Sequence, residues 1–457
     1  MAQFERVGLL LFYQNKFFTF IKINKYMNKK IVIIGAGVAG INAATKLVDN
    51  GYPGELITII DAGKDPYQRP KNEVMKGFAG AGLFSDGKWV YLHNMIGGHL
   101  AKYTGKEKAD QLLEEAWSYI LRFHPKPDNV MFSNPIDEPE FIKPYFNLRM
   151  APTYHIGTNW LHDLGKKWYD WLVEKGIKFM WETEVEDIDF KTQRIYINGF
   201  EINFDKLIYG TGKSGIDLTQ KLINKYNLKK EPKPVQVGVR MELPQKYMQP
   251  IVDISYDFKL YQKPNDMVSL RTFCSNNNAA YVAEEETYEM KSYNGHSFKQ
   301  EDMINNMTNF GIIMEIKGIN NPFDFQKQLV SKCQDGKNGL YYSPGNTRKP
   351  SLSAEGEEMN ITQIGWLELI KVSEAFEGYF EYITNFISDL NKVFNFGDDY
   401  GIYIPEVKFL SEEVLVNYND LSLIDYPNIH FVGDSLSSRG IAVSAAQGVY
   451  SVNNLLK

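Results

Sequence analysis

Gly35, Gly37 and Gly40 are spaced as G-x-G-x-x-G, and Asp61 follows 21 residues after the last of them. Glycines in this pattern suit a pyrophosphate. The first permits a tight turn, the second lets backbone approach the phosphates, and the third lets the next helix pack closely. A carboxylate about 20 residues further on is placed to accept from ribose hydroxyls. This chemistry needs a strand before the glycines and a helix after them. Residues 31–34 are Ile-Val-Ile-Ile, the pattern of a strand buried on both faces. Ile41, Ala44, Leu47 and Val48 recur at helical spacing, and Asn50-Gly51 closes the helix. Residues 56–60 read as a second strand running into Asp61. The N–H groups and positive dipole end of the predicted helix then face the phosphates.

Three more segments carry glycine where backbone must pass close to a ligand. Residues 77–88 contain Gly77, Gly80, Gly82 and Gly87, too many for a helix or strand interior. Residues 206–209 read as a buried strand ending in Gly210-Thr211-Gly212-Lys213-Ser214-Gly215. Gly212-Lys213-Ser214 imitates a P-loop tail, but Leu207 stands where that motif needs glycine. The literal G-x-G-x-x-G at 210–215 is followed by Pro232 and Pro234 and by no ribose acid. It reads as a turn touching a dinucleotide that the first motif already holds. Residues 429–432 form a third buried run, leading to Gly433-Asp434-Ser435. Arg439-Gly440-Ile441-Ala442 then opens a helix of small residues, Ser444, Ala445, Ala446 and Gly448.

The chain has 457 residues, enough for two or three domains, with the hydrophobic (44%) and charged (23%) content of a globular protein. A net charge of −6 argues against a broad nucleic-acid footprint and leaves room only for a local basic groove. Cys274 and Cys333 lie 59 residues apart, which excludes a C-x-x-C pair and a cysteine-based metal cluster. No metal is expected, and a reducing cytoplasm is the expected compartment. The apolar run Val7 to Tyr13 is too short to span a bilayer. Residues 1–26 read as an unstructured extension ahead of Met27, with an amphipathic membrane or partner helix as the alternative, and no transmembrane segment is expected. Helices are expected at 100–123, 158–174, 322–333 and 363–395. Residues 178–185 read as a strand, and 194–204 as a hairpin turning at Asn198-Gly199. From Val235 to Lys317 the pattern turns to strands, at 235–240, 269–273, 280–283 and 311–316, with Asn294-Gly295 as a hairpin turn. This predicts an antiparallel sheet inserted between parts of the nucleotide domain.

The three spaced motifs together resemble the FAD-binding domain of the glutathione-reductase-like, two-dinucleotide-binding-domain flavoprotein superfamily. Gly80-Ala81-Gly82-Leu83-Phe84-Ser85-Asp86-Gly87-Lys88, His155-Ile156-Gly157-Thr158, the run 234–240, Arg271-Thr272-Phe273-Cys274 and Asn294-Gly295-His296-Ser297 narrow the likeness. They resemble a group of bacterial FAD-dependent dehydrogenases defined by cofactor rather than substrate. The resemblance covers nearly everything from Met27 to Lys457. It implies an α/β fold: a discontinuous Rossmann-like FAD-binding domain (27–100, 150–215 and 400–457), a helical and irregular insertion (101–149) and an antiparallel substrate domain (216–399). The usual members carry a cysteine-rich segment where this chain has residues 67–72, and G-D-G where it has Gly433-Asp434-Ser435.

By that pattern, FAD would be held non-covalently by Gly35, Ala36, Gly37, Val38, Ala39 and Gly40, by Asp61 and Ala62, and by Gly80, Ala81, Gly82, Phe84 and Ser85. Val185, Gly210, Thr211, Gly212, Gly433, Asp434, Gly440, Ile441 and Ala442 would complete the site. Asp61 would hold the adenosine ribose, Val185 the adenine through its backbone, and Asp434 the ribityl or pyrophosphate region. Residues 440–442 would lie at the electron-rich edge of the flavin, where a helix N-terminus stabilises developing negative charge.

Lys88, Arg271 and Arg439 are the candidate catalytic residues, and His155 and Arg240 the candidate substrate ligands. Arginine on a pocket-facing strand suits a carboxylate or phosphate; on an edge strand it makes an ordinary salt bridge. The expected function is an FAD-dependent oxidoreductase passing hydride or electrons to or from a small anionic substrate. NADH or NADPH is the candidate donor, sharing one cavity with the acceptor because no second nicotinamide-binding unit is visible. The alternatives are a flavoenzyme modifying a nucleotide or RNA, and a non-catalytic binding protein of the GDP-dissociation-inhibitor type. Oligomeric state is left open.

Overall fold

Ile31–Ile34 is the central strand of a five-stranded parallel sheet in the order Ile429–Phe431, Lys206–Tyr209, Ile31–Ile34, Ile57–Ile60, Lys178–Met180. This computed structural model describes residues 28–455 except 71, 72, 74, 84–86, 92–99, 135, 136, 150, 151, 288, 289, 299, 300, 355, 409–411, 437–439 and 454. The N-terminal extension, Phe84, Ser85 and Arg439 therefore lie outside the described residues. All four residues of the central strand are buried, as helices on both faces of a parallel sheet require. The helix Val38–Asp49 packs on one face. The C-terminal helix Ile441–Val452 crosses it so closely that a Cβ on Gly448 would lie 2.0 Å from the Ala39 carbonyl oxygen.

The second body is an eight-stranded sheet, ordered Ile361–Ile364, Gly339–Tyr342, Gly401–Val407, Val235–Pro244, Met307–Ile316, Val268–Asn278, Leu260–Gln262, Asn147–Leu148. Its pairs are antiparallel except the first. Alternation along Val235–Pro244 explains its two faces. Val235, Val237, Val239, Met241 and Leu243 enter a core shared with helices Pro322–Lys332, Trp366–Ala375 and Phe380–Phe394. Gln236, Arg240 and Glu242 point to the other face, which looks back at the parallel sheet and carries the hairpin of Ala280–Thr287 and Met290–Ser297. Among the described residues, no helix is long and apolar enough to cross a membrane.

Several sequence expectations change. The helix expected at 100–123 is two, Leu100–Thr104 and Lys106–Phe123, because Gly105 takes a left-handed φ of 77° between them. The strand expected at 178–185 ends at Met180. Glu182 turns left-handed at φ 50°, and its N–H bonds to the Gly63 carbonyl instead of a strand partner. Asn294-Gly295 is not the hairpin turn; it sits inside Met290–Ser297, opposite Ala283 and Val282. Glycine is needed there for close approach, since a Cβ on Gly295 would lie 2.5 Å from an Arg240 Nη. The stretch from 363 begins inside a strand, Ile361–Ile364. Gly401–Val407 and Asn147–Leu148, grouped in the sequence reading with the nucleotide domain and the helical insertion, are strands of the eight-stranded sheet. Their in-sheet hydrogen bonding to Val235–Pro244 and Leu260–Gln262 overrides the boundaries at 399 and 149.

Candidate functional site

Gly35, Asp61, Gly210 and Gly433 all follow the carboxyl ends of parallel strands, on both sides of the central one. In open α/β sheets that edge is where ligands collect. The glycines there divide into two kinds. A Cβ on Gly35, whose φ is 100°, would lie 2.2 Å from the Gly210 carbonyl oxygen, and one on Gly40 would lie 2.0 Å from the Gly35 carbonyl oxygen. Those two are fixed by the protein's own packing. A Cβ on Gly37, Gly212 or Gly440 would meet no described atom within 4 Å, and all three line a cavity of about 300 Å³. Gly212 and Gly440 have left-handed φ of 62° and 96°, which itself favours glycine; Gly37, at φ −65°, is required by neither packing nor backbone.

Two helices begin at this cavity. Gly37 precedes Val38–Asp49 and Gly440 precedes Ile441–Val452; neither helix has an acidic residue in its first turn. Both positive ends are therefore available to an anionic or electron-rich ligand. Asp61 organises the wall between them. Its Oδ2 accepts the Ala36 N–H at 2.7 Å, and its Oδ1 accepts those of Gly63 and Gly77, each at 2.8 Å. Oδ2, with one N–H bound, keeps acceptor capacity at the cavity that Asp61 lines. Arg69 pins the glycine segment from behind: Nε donates to the Glu73 carbonyl, Nη1 to that of Phe78 (2.6 Å) and Nη2 to that of Gly80 (3.0 Å). Burial pulls the Arg69 guanidinium down to about 10, against the raising fields of Asp61 and Glu73.

The opposite wall is the inner face of the eight-stranded sheet with its hairpin. Arg271 is 7% exposed and lines the cavity. Its Nη2 lies 3.7 Å from Glu315 Oε1, and its buried Nη1 has no hydrogen-bond partner among the described residues. Burial lowers its pKa, with Glu315 opposing. Beside it, Lys259 Nζ and Asp257 Oδ2 form a 2.6 Å ion pair, each side chain 2% exposed. Asp257 Oδ1 also accepts the Ser275 N–H at 2.9 Å. At the hairpin, burial disfavours ionised Glu285, but Lys213, Lys408 and the Asn294 amide outweigh it and hold its pKa at about 2.

The residues singled out from the sequence divide accordingly. Lys88 lines the cavity; its ammonium donates to the Ser275 carbonyl and to Asn276 Oδ1, tying the strand after the glycine segment to the larger sheet. Val38, Ala39, Gly80, Ala81, Gly82, Thr211, Asp434 and Ile441 line it too. Ala36, Gly40, Ala62, Val185 and Ala442 are not among the described lining residues; Ala36 and Ala442 are buried, and Val185 packs against the core. Arg240 corrects an expectation. It is fully buried under the hairpin, its Nη2 3.1 Å from Glu406 and its Nη1 2.8 Å from Asn309 Oδ1, because its strand position places it beneath Gly295 and outside the cavity lining. His155 is buried in the strand Thr153–His155, its ring edge-on to Tyr256 at 4.9 Å.

Sequence reasoning missed Asp257, Lys259 and Arg69. Asp257-Phe258-Lys259 did carry a usable pattern: Phe258 enters the helix-covered core, so its neighbours face the other way. Nothing local marks Arg69. Cys274 lines the cavity, whereas Cys333 is buried in the helix-covered core, so the chain's two cysteines form no pair. Among the described residues there is no cluster able to hold a metal ion.

A dinucleotide fits these residues: two open helix N-termini, three bare glycines and a backbone-anchored carboxylate converge on one cavity. The family described as pyridine nucleotide-disulphide oxidoreductase matches residues 29–231. No curated protein sequence matches significantly. Solved structures similar to the chain include CtdE in complex with FAD (10% identity, 92% of this chain and 82% of that one, TM-score 0.36). The tetrameric form of 2-methyl-3-hydroxypyridine-5-carboxylic acid oxygenase is another (12%, 93% and 80%, 0.36). Tetracycline destructase Tet(51) is a third (10%, 92% and 79%, 0.35). Likeness this weak transfers no activity.

Proposed function

We propose that the chain, whose residues 29–231 match the pyridine nucleotide-disulphide oxidoreductase family, is an FAD-dependent oxidoreductase that oxidises or reduces a small carboxylate held by Arg271. FAD, when bound, supplies a two-electron acceptor or donor. The residues that would hold it are Gly37, Gly212 and Gly440, the first turns of the two helices, Asp61 and Asp434. The carrying observation is Arg271: a nine-tenths-buried guanidinium that lines the cavity, with a loose ion pair and an unpartnered Nη1. Burying such a group without hydrogen bonds is costly, and a planar carboxylate matches its fork. Lys88 holds the two walls together and keeps the substrate side of the cavity positive. NADH or NADPH, if it is the donor, reaches the flavin through the same cavity.

Calorimetric titration of the FAD-loaded protein with benzoate, a non-reacting carboxylate, tests this. Arg271→Met should weaken binding about 10- to 100-fold, the worth of one charge-assisted pair. Equal affinity in the variant, or no binding by wild type, contradicts the assignment.

A further inference from the structure

We infer that the substrate is a dicarboxylate, with its first carboxylate on Arg271 and its second on Lys408. This rests on the Arg271 reading and names the substrate class. Arg271, Lys408 and Phe273 all line the cavity. The Arg271 guanidinium carbon lies 5.7 Å from the centroid of the Phe273 ring, and Lys408 Nζ lies 4.6 Å from it. The two charges are therefore no further apart than those distances laid end to end. A carboxylate sits about 3 Å from a cationic donor, so a short diacid reaches both. Glycine makes the floor of this corner. A Cβ on Gly311 would lie 2.2 Å from Phe273 Cε1 and 2.6 Å from Glu406 Oε2, so only bare backbone fits beneath the ring and its neighbouring acid.

Charge decides between one carboxylate and two. Arg240 also stands 5.7 Å from the Phe273 centroid, so three cations surround one ring. Glu406 and Glu315 answer them. Glu406 Oε1 is shared by Arg240 Nη2 at 3.1 Å and Lys408 Nζ at 3.2 Å. Glu315 Oε1 lies 3.7 Å from Arg271 Nη2 and also takes the Gln236 amide at 2.9 Å. Elsewhere on the wall, Lys259 faces Asp257 at 2.6 Å and Lys213 faces Glu285 at 4.0 Å, while Lys88 donates to the Ser275 carbonyl and Asn276 Oδ1. Among these residues the bases outnumber the acids by two. A monocarboxylate neutralises one excess charge and a dicarboxylate neutralises both. The difference counts here because Arg271 is 7% exposed and the Lys408 side chain 13%, and uncompensated charge is costly away from water.

The test is calorimetric titration of the FAD-loaded protein with succinate, glutarate and adipate, with the monomethyl ester of each, and with butyrate. At least one diacid should bind at least about tenfold tighter than butyrate. Its monomethyl ester keeps the chain but loses the second charge, and should bind like butyrate. Lys408→Gln should bring the diacid to within about twofold of its ester, and Arg271→Met should weaken the binding of every acid. Equal affinity for the diacids and butyrate, esters as tight as their diacids, or a preference that survives Lys408→Gln overturns the inference and leaves Arg271 in place. The ester comparison needs no variant, so it decides the matter even if Lys408→Gln does not fold. Absence of all acid binding by wild type, or affinities untouched by Arg271→Met, instead overturns the Arg271 reading beneath it.

Discussion

The Asp61 carboxylate accepts the Ala36 backbone N–H at 2.7 Å, so the acid that ends the second parallel strand fixes the turn that ends the first. The same side chain takes the N–H of Gly77 and draws the glycine segment onto that turn. Asp61→Ala removes three backbone hydrogen bonds to a charged acceptor, each worth about 1–3 kcal/mol. The variant should lose both melting temperature and FAD occupancy. Full occupancy after purification would remove Asp61 from the cofactor site.

Gly37 and Gly40 separate packing from ligand room. Gly37 has φ −65° and open space where a Cβ would point, whereas a Cβ on Gly40 meets backbone at 2.0 Å. Gly37→Ala should melt like wild type as apoprotein yet bind FAD at least about tenfold more weakly, a loss of ~1.4 kcal/mol. Gly40→Ala should lower the apoprotein's own stability by about 1–3 kcal/mol through overpacking. Identical behaviour of the two variants in FAD titration and thermal melts would contradict this division.

The two arginines of the larger sheet should fail differently. Arg240→Met removes the fully buried partner of Glu406 and Asn309, leaving Glu406 only Lys408, and should cost about 3 kcal/mol of stability. Arg271→Met removes a buried charge with no hydrogen bond at Nη1 and should leave the melting temperature near wild type or above it. Denaturant titration of both variants checks this. A larger loss for Arg271→Met than for Arg240→Met would exchange their roles.

Glu285 predicts an acid limb. Its folded pKa, about 2, lies below the ordinary 4.5. Its charge therefore stabilises the fold fully above about pH 4.5, and the contribution is lost as pH falls toward about 2. The melting-temperature gap between wild type and Glu285→Gln should be constant at neutral pH and close as pH drops below about 4.5. Parallel curves throughout would show that Lys213 and Lys408 do not act on Glu285.

The parallel sheet and its glycine turns were legible because their constraints are local. Four apolar residues, three glycines and an acid lie within one stretch, and each turn follows its own strand. The alternation of Val-Gln-Val-Gly-Val-Arg likewise announced a strand with one apolar face. What lay beyond that face was not legible. Arg240 and Arg271 carry the same side chain on strands of one sheet. Only the hairpin that carries Gly295, 55 residues after Arg240, decides that Arg240 is roofed and Arg271 faces the cavity. Gly401–Val407 was misgrouped for a related reason, since one of its two partner strands, Val235–Pro244, lies more than 150 residues earlier in the chain.

The central claim is that one cavity holds the flavin and, against it, a carboxylate on Arg271. The direct measurement is the visible difference spectrum of the FAD-loaded protein during titration with benzoate. The account predicts a saturable perturbation of the flavin bands in wild type, displaced to at least about tenfold higher benzoate in Arg271→Met. A flavin spectrum untouched by benzoate, or perturbed equally in both proteins, would contradict it.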